Sequence, residues 1–316
     1  MRVIDAASVH AALPYPELIE ALREAFRTGG DVPLRQHYTI PNPSGADGML
    51  LVMPAWQAGR HMGIKAVSVY PDNPKQGLPS VIGAYLLFDA RSGAPKAVID
   101  GVALTLRRTA CASALAAGYL ARREASHLLM VGAGALAPHL VRAHCAVRRY
   151  TKVSLWNRNP DRAEELAAAL RADLNAQGAA VKVIEDLEAA AKVADTISCA
   201  TLSHEPLVQG AWLKKGAHLD LVGGFTPKMR EADDTAVARA EIYVDTRAGA
   251  MKEAGDIVQP LERGILTPER VRGDLFALVR DQCPLRSGPE AITLFKSVGF
   301  ALEDLAAAEL VAESAP

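Results

Sequence analysis

The sequence predicts an α/β chain in which a doubly wound parallel sheet stands beside an α+β lobe. Short apolar runs at 127–131, 152–156, 181–184, 195–200, 217–222 and 241–245 alternate with helical stretches, the pattern of parallel strands joined by crossover helices. Before about position 116 the rhythm is different. One amphipathic helix carrying Ile19, Leu22 and Phe26 precedes strand-like runs such as Met49 to Met53 and Val81 to Phe88. The stretch LLFDARSGAPKAVID sets a polar, Gly-containing turn between two apolar runs, so a β-hairpin and antiparallel pairing are expected there.

The remaining elements follow in order. An Ala-rich helix is expected from about Leu104 to Arg122, just before the alternating region. The last stretch, VGFALEDLAAAEL, reads as a short amphipathic helix with Leu302, Leu305 and Leu310 on related faces, ending in a polar tail and expected to dock on the first lobe. The expected division is therefore 1–116 with 299–316 as one lobe and 117–298 as the other. A chain of 316 residues is long enough for two such bodies.

Composition narrows the function classes. The chain is 50% hydrophobic and 22% charged with a net charge of −1, which favours a small-molecule partner over nucleic acid and argues against disorder. The start lacks the uninterrupted apolar core of a signal peptide, and no apolar run reaches the roughly 18 residues that would span a bilayer. A cytoplasmic protein without membrane partners is expected. Cys111, Cys145, Cys199 and Cys283 stand singly, so neither a metal site nor a disulfide framework is indicated.

The strongest local signal is the apolar run His127 to Val131 leading into Gly132-Ala133-Gly134-Ala135-Leu136-Ala137 and then a helix with Leu140 and Val141. Glycines belong here because a tight turn and a close-lying diphosphate leave no room for Cβ, and the helix N-terminus offers amides to the anion. Such a G-x-G-x-x-A also arises by chance in an Ala-rich chain. The second strand, Lys152 to Trp156, adds weight by ending 24 residues after Gly132, at the spacing where a Rossmann-type fold reads the adenosine ribose. It ends in Asn157-Arg158-Asn159 and not in an acid. A guanidinium there suits a 2′-phosphate, and Asn159 with Pro160 reads as an N-cap and first helical position that bring a helix dipole to the same place. NADPH is expected as the cofactor, with NADH weaker. Ala200, Thr201, Val222 and Gly223 end later strands with small residues or an abrupt turn and are expected to line the nicotinamide.

In the first lobe, cations sit at unusual places: Arg35 in a loop, Lys65 inside the apolar strand GIKAVSVY, and Arg107 and Arg108 inside the Ala-rich helix. A lysine in such a strand is costly unless it meets an anion, and a bound carboxylate would supply one.

At this point the sequence resembles the ornithine cyclodeaminase/mu-crystallin family over nearly its whole length. The carriers are Gly63-Ile-Lys65-Ala-Val-Ser-Val-Tyr-Pro71, Gly77-Leu-Pro79, Gly83, Thr105-Leu-Arg-Arg108-Thr109-Ala110, Gly132-Ala-Gly134, Trp156-Asn157-Arg158 and Lys252-Glu253-Ala-Gly255-Asp256. The resemblance implies an N-terminal substrate-binding and dimerisation lobe completed by the returning C-terminal helix, a Rossmann domain between, and a homodimer. It also implies that Arg35, Lys65 and Arg108 hold a substrate carboxylate against the nicotinamide, with Lys65 as the proton-transfer residue and Asp220 or Glu253 as orienting groups. Glu253 joins the expected substrate set. Thr109, Arg162 and Gly299 join the cofactor set of Gly132, Ala133, Gly134, Ala135, Leu136, Asn157, Arg158, Asn159, Ala200, Thr201, Val222 and Gly223.

One departure is informative. Cyclodeaminases of the family carry an aspartate after the paired glycines, whereas this chain has Phe225 in Gly223-Gly224-Phe225-Thr226-Pro227. A phenyl ring moves no protons, which disfavours ornithine cyclisation with loss of ammonia. The Phe-Thr-Pro form looks like members that reduce cyclic ketimines such as Δ1-pyrroline-2-carboxylate or Δ1-piperideine-2-carboxylate, making proline or pipecolate. An alanine-type amino-acid dehydrogenase remains an alternative, as does a non-catalytic ligand-binding protein of the mu-crystallin kind, against which the retained Lys65, Arg108 and dinucleotide motif argue.

Overall fold

The computed structural model describes residues 1–314. The chain divides into two compact units, Met1–Thr109 with the segment from Phe300 onward, and Ala110–Gly299. The first division falls inside a single helix.

The first unit contains β1 (Arg2–Ile4), α1 (Ala6–Ala12), α2 (Tyr15–Thr28), β2 (Gln36–Ile40), β3 (Gly48–Trp56), β4 (His61–Val69), β5 (Val81–Asp89), β6 (Pro95–Asp100) and the first half of α3 (Gly101–Leu120). Its sheet runs β1-β6-β5-β4-β3-β2, antiparallel throughout except for the parallel pair of β1 with β6. The expected hairpin is β5 and β6. Along β4 the period-two alternation buries Gly63, Lys65 and Val67 on one face, and strand register sets Lys65 between Met53 of β3 and Tyr85 of β5. Gly63 is required by the ring of Tyr85, whose hydroxyl lies 2.1 Å from where a Cβ would stand. The opposite face carries half-buried Leu50, Val52, Ile64, Leu86 and Phe88.

The second unit contains the rest of α3, then β7 (His127–Val131), α4 (Ala137–Val147), β8 (Lys152–Trp156), α5 (Pro160–Ala176), β9 (Ala180–Val183), α6 (Leu187–Val193), β10 (Thr196–Cys199), β11 (His218–Leu221), α7 (Asp234–Arg239), β12 (Ala240–Val244), α8 (Arg247–Glu253), α9 (Gly255–Glu262), β13 (Val271–Asp274), α10 (Leu275–Val279) and β14 (Ile292–Lys296). All eight strands are parallel, in the order β13-β12-β14-β11-β10-β7-β8-β9. The central strands β7, β10, β11 and β14 are buried at every position, as expected of a sheet covered on both faces. The order in which strands are added reverses between β7 and β10, the switch point beside which such sheets bind ligands.

The chain returns to the first unit as α11 (Ala301–Ser314). This helix is not the amphipathic one expected. It is buried at every position from Ala301 to Glu309 because α2 covers one side and the strands β3 to β6 the other. Phe26 of α2 stacks on Phe300 at its start, with ring centroids 6.3 Å apart. Burial on all faces leaves Glu303, Asp304 and Glu309 inside, where each must find a cation.

Candidate active site

In the second unit, the loop after β7 has the geometry that its glycines predict. Gly132 has φ +107°, and a Cβ there would lie 2.6 Å from the Ala200 carbonyl oxygen, so only glycine fits the turn. Gly134 is different: nothing lies within 4 Å of its Cβ position. Gly134 and Ala135 are exposed. The amides of Gly134, Ala135 and Leu136 donate to no group among the described residues, and α4 begins directly after them. Free amides, open space and a helix N-terminus are what a diphosphate needs, so these residues fit a dinucleotide.

The end of β8 stands beside this loop. Asn157 accepts the Ala133 amide through Oδ1 at 3.2 Å and donates through Nδ2 to the Asn159 carbonyl at 2.8 Å, which ties the first two strand ends together. Asn159 caps α5 by accepting the Asp161 amide, with Pro160 at the first turn, as its sequence indicates. Arg158 and Arg162 are exposed, and Arg158 has no hydrogen bond or ion pair among the described residues.

Sequence reasoning missed a group that shapes the turns expected to line the nicotinamide. Glu231, fully buried, accepts the amide and hydroxyl of Thr201 on one oxygen at 2.7 and 2.9 Å and the Gly223 amide on the other at 2.8 Å. It thereby holds the turns after β10 and β11 in register. A Cβ on Gly223 would meet the Thr201 carbonyl at 2.0 Å. Ala200 and Val222 continue the strands by donating to Val131 and Cys199. Asp256 in turn accepts the amides of Glu231 and Ala232, and its other oxygen lies 3.2 Å from the ammonium of Lys296 at the end of β14. Burial pushes Glu231 up to about 7; Lys296 opposes this and Asp256 reinforces it. Lys296, a lysine ending an apolar strand, carries the same signal of an internal counter-charge that singled out Lys65. Gly299, with φ +85°, and Val298 both donate to Asp245 at 2.7 Å, which fixes the loop after β14.

Asp220, expected from the sequence as an orienting group, is engaged by groups of its own unit. It lies on β11, fully buried, and accepts Ser113 Oγ at 2.9 Å and Ser198 Oγ at 2.7 Å, with His144 Nε2 at 3.1 Å. It is the centre of a polar knot within the second unit, occupied on both oxygens. Glu253 ends α8 and is half-buried. Phe225 is 46% exposed in the turn after the paired glycines.

In the first unit the buried cations have found their anions in the protein itself. Lys65 donates to Asp304 Oδ1 at 3.0 Å and lies 2.8 Å from Oδ2. Arg108, on α3, donates through Nε to Asp304 Oδ1 at 2.9 Å and through Nη1 to Glu303 Oε2 at 2.6 Å. The internal carboxylates correct the expectation that a bound ligand is needed to offset Lys65. Burial, then the charge of Arg108, lowers Lys65 to about 8, with Asp304 opposing and Arg35 adding a smaller push downward. Burial also works against the charged form of Arg108, but Asp304 and Glu303 more than offset it and raise its proton affinity. Tyr85, beside Lys65 on the next strand, is buried with no hydrogen-bond partner for its hydroxyl, and burial raises its proton affinity further. Arg35 lies just before β2, half-buried. Thr109 is buried on α3 next to Arg108.

Among the described residues no cluster of His, Cys, Asp or Glu is arranged to hold a metal ion, and no helix is long and apolar enough to cross a membrane.

Comparison with known proteins adds three findings. The sequence profile described as the ornithine cyclodeaminase/mu-crystallin family matches residues 2–316. The chain is 40% identical over 290 residues to the Δ1-pyrroline-2-carboxylate reductase of Paracoccus denitrificans, covering 88% of this chain and 90% of that one. Two solved structures are similar over the whole chain: the Thermococcus litoralis Δ1-pyrroline-2-carboxylate reductase in complex with NADH and L-proline (TM-score 0.92, 32% identity, 97% of that chain), and an archaeal alanine dehydrogenase dimer with bound NAD (TM-score 0.90, 28% identity, 96% of that chain).

Proposed function

Since the chain belongs to the ornithine cyclodeaminase/mu-crystallin family, we propose that it is an NADPH-dependent reductase of small cyclic imino acids. Its substrates are Δ1-pyrroline-2-carboxylate, Δ1-piperideine-2-carboxylate or both, and its products L-proline and L-pipecolate. The observation that carries this reading is Lys65, a buried ammonium lowered to about 8, which can give up a proton near neutral pH. Names of relatives point the same way. Phe225, in place of an acid, removes the group that deamination requires.

A reduced nicotinamide supplies hydride when bound. The amides of Gly134, Ala135 and Leu136 would hold its diphosphate, and Glu231 would keep the Thr201 and Gly223 turns shaped for the ring. Arg35 and Arg108 bind the substrate carboxylate, with Lys65 close to Arg108 through the shared Asp304. Lys65 protonates the imine nitrogen, which makes the adjacent carbon electrophilic enough to accept hydride. Preference for the 2′-phosphate of NADPH is supported by Arg158 and Arg162, exposed at the end of β8 and start of α5 with no acid at the end of the strand.

We further propose a cytoplasmic homodimer. Four free cysteines suit a reducing compartment. The apolar sheet face of Leu50, Val52, Ile64, Leu86 and Phe88 supplies a surface for a second copy, and an alanine dehydrogenase of the same architecture is a dimer. Replacing Ile64 with Asp should then shift the elution of the folded protein to monomer mass, and an unchanged dimer would remove this face from consideration.

The likeness to alanine dehydrogenase favours one second reading, in which pyruvate and ammonia form the imine in the site. A screen of NADPH oxidation over five- and six-membered cyclic imino acids, and over pyruvate with ammonia, separates the two. Turnover of the cyclic imino acids is expected. Turnover of pyruvate with ammonia alone would replace the first reading with the second, and none with any of them would end both.

A further inference from the structure

We propose that Asp304 is the positioning residue of Lys65, a carboxylate delivered by the C-terminal helix that holds the ammonium charged and aimed until it gives up its proton. The inference rests on the reading of Lys65 as proton donor and goes beyond it by assigning what controls that donor.

The geometry isolates the pair. Lys65 is 2% exposed on β4, and its neighbours across the sheet are Met53, which offers no acceptor, and Tyr85, whose hydroxyl makes no hydrogen bond. Its acceptor is Asp304, which takes the hydrogen bond on Oδ1 at 3.0 Å, with Oδ2 at ion-pair distance, 2.8 Å. Asp304 is itself held: Arg108 donates to Oδ1, and Glu303 fixes Arg108 from the preceding position of α11. Asp304 Oδ1 receives both Arg108 Nε and the Lys65 ammonium, so the lysine's position is set by a carboxylate that a guanidinium on α3 holds in place and not by its own four-carbon stem alone.

The charged groups beside Lys65 act on it in opposite directions. Burial, Arg108 on α3 and Arg35 before β2 favour the neutral amine, while Asp304 on α11 favours the ammonium. Glu303 spends its charge on Arg108. Tyr85, neutral and buried, contributes no charge. Without the Asp304 carboxylate Lys65 loses its own counter-charge, Glu303 being engaged by Arg108, and burial with the two guanidinium groups shifts the amine toward its neutral form where the reaction needs a proton. In the step itself an N–H bond of Lys65 breaks and an N–H bond forms at the imine nitrogen. Hydride from the reduced nicotinamide forms the new C–H bond at the imine carbon, and the π pair of C=N becomes the nitrogen lone pair. Lys65 is left as a neutral amine that water reprotonates, and Asp304 remains a carboxylate throughout.

The test uses the full-length protein with Asp304→Asn, Asp304→Glu and Lys65→Met. Two readouts are taken against pH: kcat with Δ1-pyrroline-2-carboxylate, and the ε-carbon NMR signal of Lys65 in 13C-lysine-labelled protein without cofactor, identified by its loss in Lys65→Met. In Asp304→Asn both midpoints should fall by about one pH unit or more, with kcat at pH 8 down about tenfold and KM changed much less. Asp304→Glu should lie between Asp304→Asn and the unmodified protein. Midpoints equal to the unmodified protein in folded Asp304→Asn would overturn the proposal. If Asp304→Asn does not fold, an unshifted Lys65 signal in Asp304→Glu does the same. Lys65→Met with full kcat would instead sink the reading of Lys65 itself, whereas loss of kcat there beside unmoved Asp304 variants sinks the role of Asp304 alone.

Discussion

The Glu231 carboxylate receives the Gly223 amide at 2.8 Å while its other oxygen holds the amide and hydroxyl of Thr201, so one buried acid ties two strand-end turns together. Glu231→Gln keeps the volume but turns an amide NH2 toward groups that are themselves donors. Hydrogen bonds to a charged acceptor are worth about 1.5–3 kcal/mol each. The variant should lose about 2–3 kcal/mol of stability and bind NADPH roughly tenfold more weakly by calorimetry. Unchanged affinity would mean that these turns do not shape the nicotinamide site.

Gly132 and Gly134 are two positions apart and should fail for different reasons. Gly132→Ala forces a Cβ against the Ala200 carbonyl at positive φ, so its melting temperature should drop by several degrees. Gly134→Ala points a methyl into open space, so it should melt as the unmodified protein does while nucleotide affinity falls about tenfold or more. Equal melting temperatures for the two variants would contradict this account of the turn.

Arg158 should decide between the two nicotinamide cofactors. Arg158→Asp removes a cation and adds a charge that repels the 2′-phosphate, so KM for NADPH should rise about ten- to a hundredfold and KM for NADH far less. Equal changes for both would discard the NADPH preference.

His218 predicts part of the acid sensitivity. It is fully buried on β11, with Nδ1 2.9 Å from Thr293 Oγ1, and burial pulls it down to about 3 from an ordinary value of 6.5. The depressed value means the folded state resists its protonation. Its contribution is complete above pH 6.5 and is lost as pH falls toward 3, at up to about 1.4 kcal/mol per pH unit. Urea melts at successive pH values should therefore show a shallower decline between pH 6 and 4 in His218→Asn than in the unmodified protein, and parallel declines would exclude His218 as the titrating group.

Much of the first-lobe hairpin, the parallel strands and the Gly-x-Gly turn was legible because each rests on local rules. Period-two alternation, strand-helix alternation and a Gly-x-Gly turn are written within a few residues of where they act. The short strands β13 and β14 escaped notice, the first because Val271-Arg-Gly-Asp274 contains a single apolar residue and the second because it lies beyond the regular spacing of the others. Glu231, Asp256 and Lys296 were unreadable as a group because their partners come from separate loops and strands.

From its residues alone this chain sets where glycine must stand, where a guanidinium waits at a strand end, and that a lysine sits in an apolar strand. The sequence also raises the question of how that lysine is tolerated. Only the tertiary structure answers it, since a strand at position 65 and a helix at position 304 can share a hydrogen bond only after the chain has folded back on itself. The fully buried face of α11 is decided in the same way: its carboxylates read as solvent-facing until packing on both sides, and cations from β4 and α3, make the interior the better place for them.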